Sequence, residues 1–243
     1  MSRLSDLVRL YALMGRLKEQ LGGTQILSNL KNISDLPRRG VYFFFEPGEV
    51  RRESGDGLRI VRVGTHALTA GSRSTISQRL GQHRGSASGG GHHRTSIFRL
   101  LAGGALLARG GLPECKSWGV KGDHGKAAIA LNMDRNAVVI SEAPIEQSVT
   151  SYLGTMPFLW LDVDDEPGPE SRRGFIERNA IALLSNLDRA HLDPQSAKWL
   201  GSFSDRPLVR GSGLWNQRHV DETHDPEFLN VLEATIARTE RIK

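Results

Sequence analysis

A single cysteine, Cys115, stands among 243 residues. That excludes an internal disulfide and any cysteine-based zinc cluster, and it fits a reducing compartment. The thiol itself reads as a buried, inert one. No apolar run approaches the ~20 residues that span a bilayer. The opening stretch MSRLSDLVRLYALMGRLKEQLGG carries charge throughout, so it lacks the uncharged core of a signal peptide. A soluble, cytoplasmic chain without a membrane partner is the expectation. The glycine-rich stretch GSASGGGHHRTS lacks the Gly-Lys-Ser/Thr ending of phosphate-cradling loops, so ATP binding is not expected. There are no internal repeats.

Positive charge is plentiful. Lys plus Arg outnumber Asp plus Glu by 32 to 27, giving a formal charge of +5, and arginine is much commoner than lysine. This balance favours a polyanionic partner. The chain is long enough for one large domain or two small ones with a real hydrophobic core.

Residues 4–21 put leucines, Val8, Tyr11 and Met14 on one face at helical spacing, ended by Gly22-Gly23: an amphipathic packing helix. VYFFFE (41–46) reads as a buried strand that returns, through the turn chemistry of Pro47-Gly48 and Gly55-Asp56-Gly57, to LRIVRVG (58–64) as a hairpin. STISQRLGQHR then reads as a short helix with Ser74 as its cap, and HHRTSIFRLLAGGALLA resumes a helical pattern. From about 112 to 140 the pattern is weak. Residues 145–154 suggest a helix, 158–165 a buried strand ending in acids, 171–186 a strong helix, and 225–241 a last one.

Four features stand in sequence order: GVY at 40–42, RVG at 62–64, Arg79 and His83 four apart on one helical face, and Glu177 on the helix after the third strand. Together they resemble the GIY-YIG nuclease superfamily, and the Arg-x-x-x-His spacing resembles its restriction-endonuclease branch. The resemblance implies an α+β fold in which a small three-stranded antiparallel sheet is flanked by helices. It also implies a division into an N-terminal helical segment (1–36), a nuclease core (37–190) and a C-terminal helical extension (191–243).

The activity it implies is divalent-metal-dependent hydrolysis of DNA phosphodiester bonds in restriction, repair or defence. Such hydrolysis needs a deprotonated water, neutralised phosphoryl oxygens and a stabilised leaving oxygen. On the resemblance, Glu177 holds Mg²⁺ or Mn²⁺, Arg79 meets the phosphate, and Tyr42 or His83 activates the water. Asn186 matches the family's later asparagine, with Asn216 as its rival. Arg62 replaces the motif's second tyrosine; it faces the cleft to hold a phosphate or, as the plainer alternative, points to solvent. His66, Arg84 and Arg94 join it as expected DNA contacts. Arg99, Arg172, Arg173, Arg210 and Arg218 are further basic candidates, and Trp215 is a base-stacking or core residue. A homodimer through the N-terminal helix is a further expectation. The missing tyrosine keeps a second function open: a nucleic-acid-binding module of the same fold without catalysis.

Two other clusters have bland readings that outweigh metal sites. His92 and His93 are adjacent, a poor spacing for shared ligation, and read as loop histidines. The acids Asp162, Asp164, Asp165 and Glu166 read as a solvated turn.

Overall fold

A four-stranded antiparallel sheet forms the centre of the computed structural model, which describes residues 2–30 and 36–239. Its strands are β1 (Gln25–Ile26), β2 (Gly40–Val50), β3 (Leu58–Gly64) and β4 (Pro157–Asp162), in spatial order β1-β4-β2-β3. Three strands were expected. The additional one, β1, pairs Gln25 with Phe158, and two residues are too few for alternation to betray a strand.

VYFFF is continuously buried because both faces of the sheet are covered. Tyr42 lies opposite Gly64 on one side and Trp160 on the other, while Phe44 lies opposite Arg62 and Phe158. Cross-strand partners share a face, so Tyr42, Phe44 and Arg62 point the same way. This register brings the two half-motifs side by side.

The helices are α1 (Arg3–Gln20), α2 (Ile76–Arg84), α3 (Ile97–Arg109), α4 (His124–Leu131), α5 (Arg135–Gly154), α6 (Arg172–Leu184), α7 (Pro207–Ser212) and α8 (Phe228–Ile236). Thr75, not Ser74, caps α2. Its hydroxyl accepts the Gln78 N–H while the Gln78 side chain accepts the Thr75 N–H, a reciprocal box that a hydroxyl one position earlier could not form. The weakly patterned stretch holds α4 and the start of α5. Its apolar stripe is broken because α5 buries Glu142 and Glu146 as well as Val138, Ile145 and Val149. The last helix ends at Ile236, and the final residues of the expected 225–241 helix lie outside the described ones.

Leu7, Leu10, Leu13, Met14 and Leu17 bury the apolar face of α1 against α6, α8 and β4. Each such side chain contributes about 1.5–3 kcal/mol of transfer free energy. The apolar face of α1 is thus covered by the chain itself. Trp199, Leu200 and Trp215 join the same hydrophobic core as Leu10 and Phe43, so the described residues of all three expected segments contribute to one core. Among the described residues no helix is long and apolar enough to cross a membrane.

Candidate active site

The site begins with a glycine. A Cβ placed on Gly64 would fall 2.5 Å from Cε2 and Cζ of Tyr42 and closer still to its hydroxyl oxygen. Only a residue without a side chain lets the Tyr42 ring lie across the β3 backbone. From there Tyr42 Oη meets Nε2 of His83 at 2.8 Å. His83 is fully buried on α2, one turn after Arg79, with the rings of Tyr42, Phe44 and Phe98 at 5.5, 6.2 and 5.7 Å. Its Nδ1 meets Ser96 Oγ at 2.7 Å. Burial first, then the charges of Arg62, Arg79 and Arg99, hold the imidazole well below its ordinary pKa, so it is neutral.

Arg62 is buried against this pair, in the wall of the cleft and not on the outer surface. It donates to the Trp215 carbonyl, and its guanidinium lies 4.8 Å from the Phe98 ring centroid. Burial disfavours its charge, while Tyr42 and Glu177 favour it. Its Nε is buried without a partner. The segment that receives Arg62 also completes the free edge of β3: Trp215 N–H donates to Val61 O at 2.7 Å. Asn216 Oδ1 accepts the Val63 N–H at 3.1 Å while its Nδ2 donates to Val63 O at 2.8 Å. Asn216 therefore does the work of a neighbouring strand.

Glu177, on α6, accepts the Thr65 N–H through Oε1 at 3.1 Å, just beyond the end of β3. Burial raises its pKa; Arg62, the Thr65 N–H, His219 and Arg79 oppose the rise. Glu177 lines a cleft of about 1120 Å³ with Tyr42, Arg62, His66, Arg79 and Arg218. A second hollow of about 1030 Å³ runs along the start of α6 and shares Leu68, Glu177 and His219 with the first. Of the five described non-glycine residues with positive φ, Ala67 (54°) and His219 (63°) line the cleft. Such backbone is costly and concentrates at working sites.

Arg79 lines the cleft while donating to Gln82 Oε1 and Thr95 O, each at 2.9 Å. His66 holds Ser74 O with Nδ1 at 3.0 Å, which makes Nδ1 the protonated nitrogen, and its buried Nε2 has no partner. Burial, then Arg173, push its pKa down to about 4.

The structure thus gathers Tyr42, Arg62, His66, Arg79 and Glu177 on one cleft, with His83 behind the tyrosine. Three expected site residues lie elsewhere. Asn186 is buried, accepting from Arg3 and Leu192 N and donating to Leu192 O; its amide suits a turn that needs both a donor and an acceptor. Arg84 donates to Leu30 O at 2.5 Å, and Arg94 is clamped on Glu142 at 2.6 and 2.7 Å. Arg99 and Arg173 are likewise interior, paired with Glu146 and Asp165. His93 hydrogen-bonds Glu146. Arg218, one of the further basic candidates, lines the cleft, whereas Ser96, Thr65 and His219 were not singled out for the site; Ser96 directly before the apolar IFRLL was legible as a helix cap.

Glu177 Oε2 makes no hydrogen bond to described residues, and among these no group of three or more His, Cys, Asp or Glu could hold a metal. One carboxylate with a free oxygen suits a hard cation that keeps most of its own water. The family model described as a GIY-YIG domain matches residues 1–242. No curated protein and no solved structure matches the chain significantly. With GVY and RVG paired on adjacent strands and Glu177 closing the same cleft, this chain belongs to the GIY-YIG domain family.

Proposed function

We propose that this protein is a DNA endonuclease that hydrolyses phosphodiester bonds with a divalent cation, Mg²⁺ or Mn²⁺, held at Glu177. GIY-YIG domains are generally nuclease domains, and the observation that carries the reading is the convergence of Tyr42, Arg62, Arg79 and Glu177, from four different elements, on one cleft. His83 has no contact with the cleft, and both its nitrogens are engaged inside the protein, so water activation falls to Tyr42. As a phenolate, Tyr42 takes a proton from the attacking water while the water oxygen bonds to phosphorus. The bond from phosphorus to the leaving oxygen breaks, that oxygen gains a proton from solvent, and Tyr42 later returns its own proton to solvent. A cation bound at Glu177 supplies positive charge at the leaving oxygen.

Arg79 offsets charge on the phosphoryl oxygens, and losing one such donor costs about 10²–10³ in rate. Arg62 cannot act as a base because it stays protonated. Buried beside Tyr42, it places a fixed positive charge next to the oxygen that must become negative.

The test is incubation of purified protein with plasmid DNA and Mg²⁺ or Mn²⁺, beside Glu177→Gln. The reading expects metal-dependent nicking or linearisation that the variant loses; equal cleavage by both proteins removes Glu177 from the mechanism. A second reading, a DNA-binding module without catalysis, is favoured by the replacement of the motif's second tyrosine by Arg62. It expects salt-sensitive binding with no cleavage in either metal.

A further inference from the structure

The contact behind His83 allows a step beyond this reading, and rests on it for its catalytic consequence. Ser96 is completely buried. Its Oγ accepts the Arg99 N–H at 3.2 Å as the cap of α3 and meets His83 Nδ1 at 2.7 Å. Among the described residues its hydroxyl has no other partner.

A neutral imidazole has one donor nitrogen and one acceptor nitrogen, and a serine hydroxyl has one proton. Two arrangements of the chain Ser96–His83–Tyr42 are therefore available. In the first, Tyr42 donates to Nε2 and Nδ1–H donates to Ser96 Oγ. The serine oxygen then receives two donors, from His83 and from Arg99, and its own proton has no acceptor in a fully buried position. In the second, Ser96 donates to Nδ1 and Nε2–H donates to the Tyr42 oxygen. The buried protons of Ser96 and His83 then both have acceptors, and the Tyr42 proton is left for the cleft that Tyr42 lines. An unsatisfied buried donor weights the balance against the first arrangement by roughly ten- to a hundredfold.

We propose that Ser96 is a positioning residue that fixes His83 as the Nε2–H tautomer, so that His83 serves Tyr42 as a hydrogen-bond donor and not as the base that removes its proton. The Tyr42 oxygen then has two positive neighbours, the Nε2–H and the Arg62 guanidinium, both turned toward the charge it gains on ionising. The phenol proton leaves through the cleft to solvent. The neutral state of the buried imidazole agrees with this arrangement, since a protonated ring would donate from both nitrogens and again leave the Ser96 oxygen receiving from His83 and Arg99 with its own proton unpaired.

The experiment is ¹⁵N NMR of the histidine rings in the full chain, with His83→Gln used to identify the His83 signals. The proposal expects an unprotonated Nδ1 and a protonated Nε2. Ser96→Thr keeps the donor and is expected to keep that pattern. Ser96→Asp keeps the helix cap but can only accept, so it should move the proton to Nδ1 and lower kcat at least tenfold with little change in KM. A protonated Nδ1 in the wild-type protein overturns the proposal on its own, as does an unchanged ring in a folded Ser96→Asp protein. Because the ring signals need no activity, a chain with the expected tautomer that cleaves nothing sinks the nuclease reading alone, and a cleaving chain with the opposite tautomer sinks this inference alone.

Discussion

Replacing Gly64 by alanine tests the geometry on which the site rests. The new Cβ would lie 2.5 Å from two ring carbons of Tyr42, about 1 Å inside ordinary van der Waals contact. Tyr42 is walled by Phe44 and His83 and by the sheet below, so the ring can yield only by giving up its place. Moving the ring by 1 Å takes the 2.8 Å bond between Tyr42 and His83 beyond hydrogen-bonding range. Overpacking costs about 1–3 kcal/mol and a lost hydrogen bond about 0.5–1.5, so Gly64→Ala should destabilise by about 2–4 kcal/mol. The assay is urea unfolding of the four proteins in a double-mutant cycle with Tyr42→Leu, which removes the clashing atoms. In the leucine background, Gly64→Ala should cost under about 1 kcal/mol. The same cost in both backgrounds would mean that Gly64 serves something other than the tyrosine.

Three further outcomes follow from the same structure. His66, with its pKa down to about 4, is neutral in the folded chain, so the stability it contributes is complete above pH 6.5 and is lost as pH falls toward 4. The full shift is worth about 3 kcal/mol and solvent screening trims it to on the order of 2, so His66→Asn should flatten the acid limb of a stability-versus-pH curve by that amount; an unchanged limb refutes the assignment. Asp193 Oδ1 accepts the N–H groups of Arg52, Glu53 and Ser54 at 2.7, 2.9 and 3.1 Å and holds the tip of the β2–β3 hairpin. Asp193→Ala should cost about 2–4 kcal/mol in thermal or chemical unfolding, and an effect under 1 would show that the tip holds itself. Finally, Arg79→Ala and Arg218→Ala should each lower the slope of log affinity for DNA against log salt by about one, whereas Arg84→Ala should leave it unchanged because that side chain is spent on Leu30 O.

The legible parts of this protein were those governed by local rules. Turn chemistry between two β-branched runs announced the β2–β3 hairpin, and the spacing of Arg79 and His83 put both on one side of α2, one facing the cleft and the other the tyrosine. What the sequence concealed depends on partners distant along the chain. Arg62, Arg84, Arg94 and Arg173 look alike as residues, but the first serves a buried carbonyl, the next a loop carbonyl, and the last two interior carboxylates. Asn186 and Asn216 were indistinguishable until register showed one knitting a turn and the other completing the edge of β3. The strand arginine raised the choice of cleft or solvent, and the structure sets it in the wall of the cleft, buried between Trp215 O, Phe98 and the tyrosine.

The central claim is that Tyr42 activates the attacking water, and the most direct measurement is the single-turnover cleavage rate of a DNA substrate by Tyr42→Phe, with DNA affinity measured on the same preparation. The phenylalanine keeps the ring that Gly64 accommodates and removes only the oxygen bound to His83. The account predicts a rate loss of about 10²–10⁴ with affinity unchanged. A variant that cleaves at the wild-type rate would contradict it.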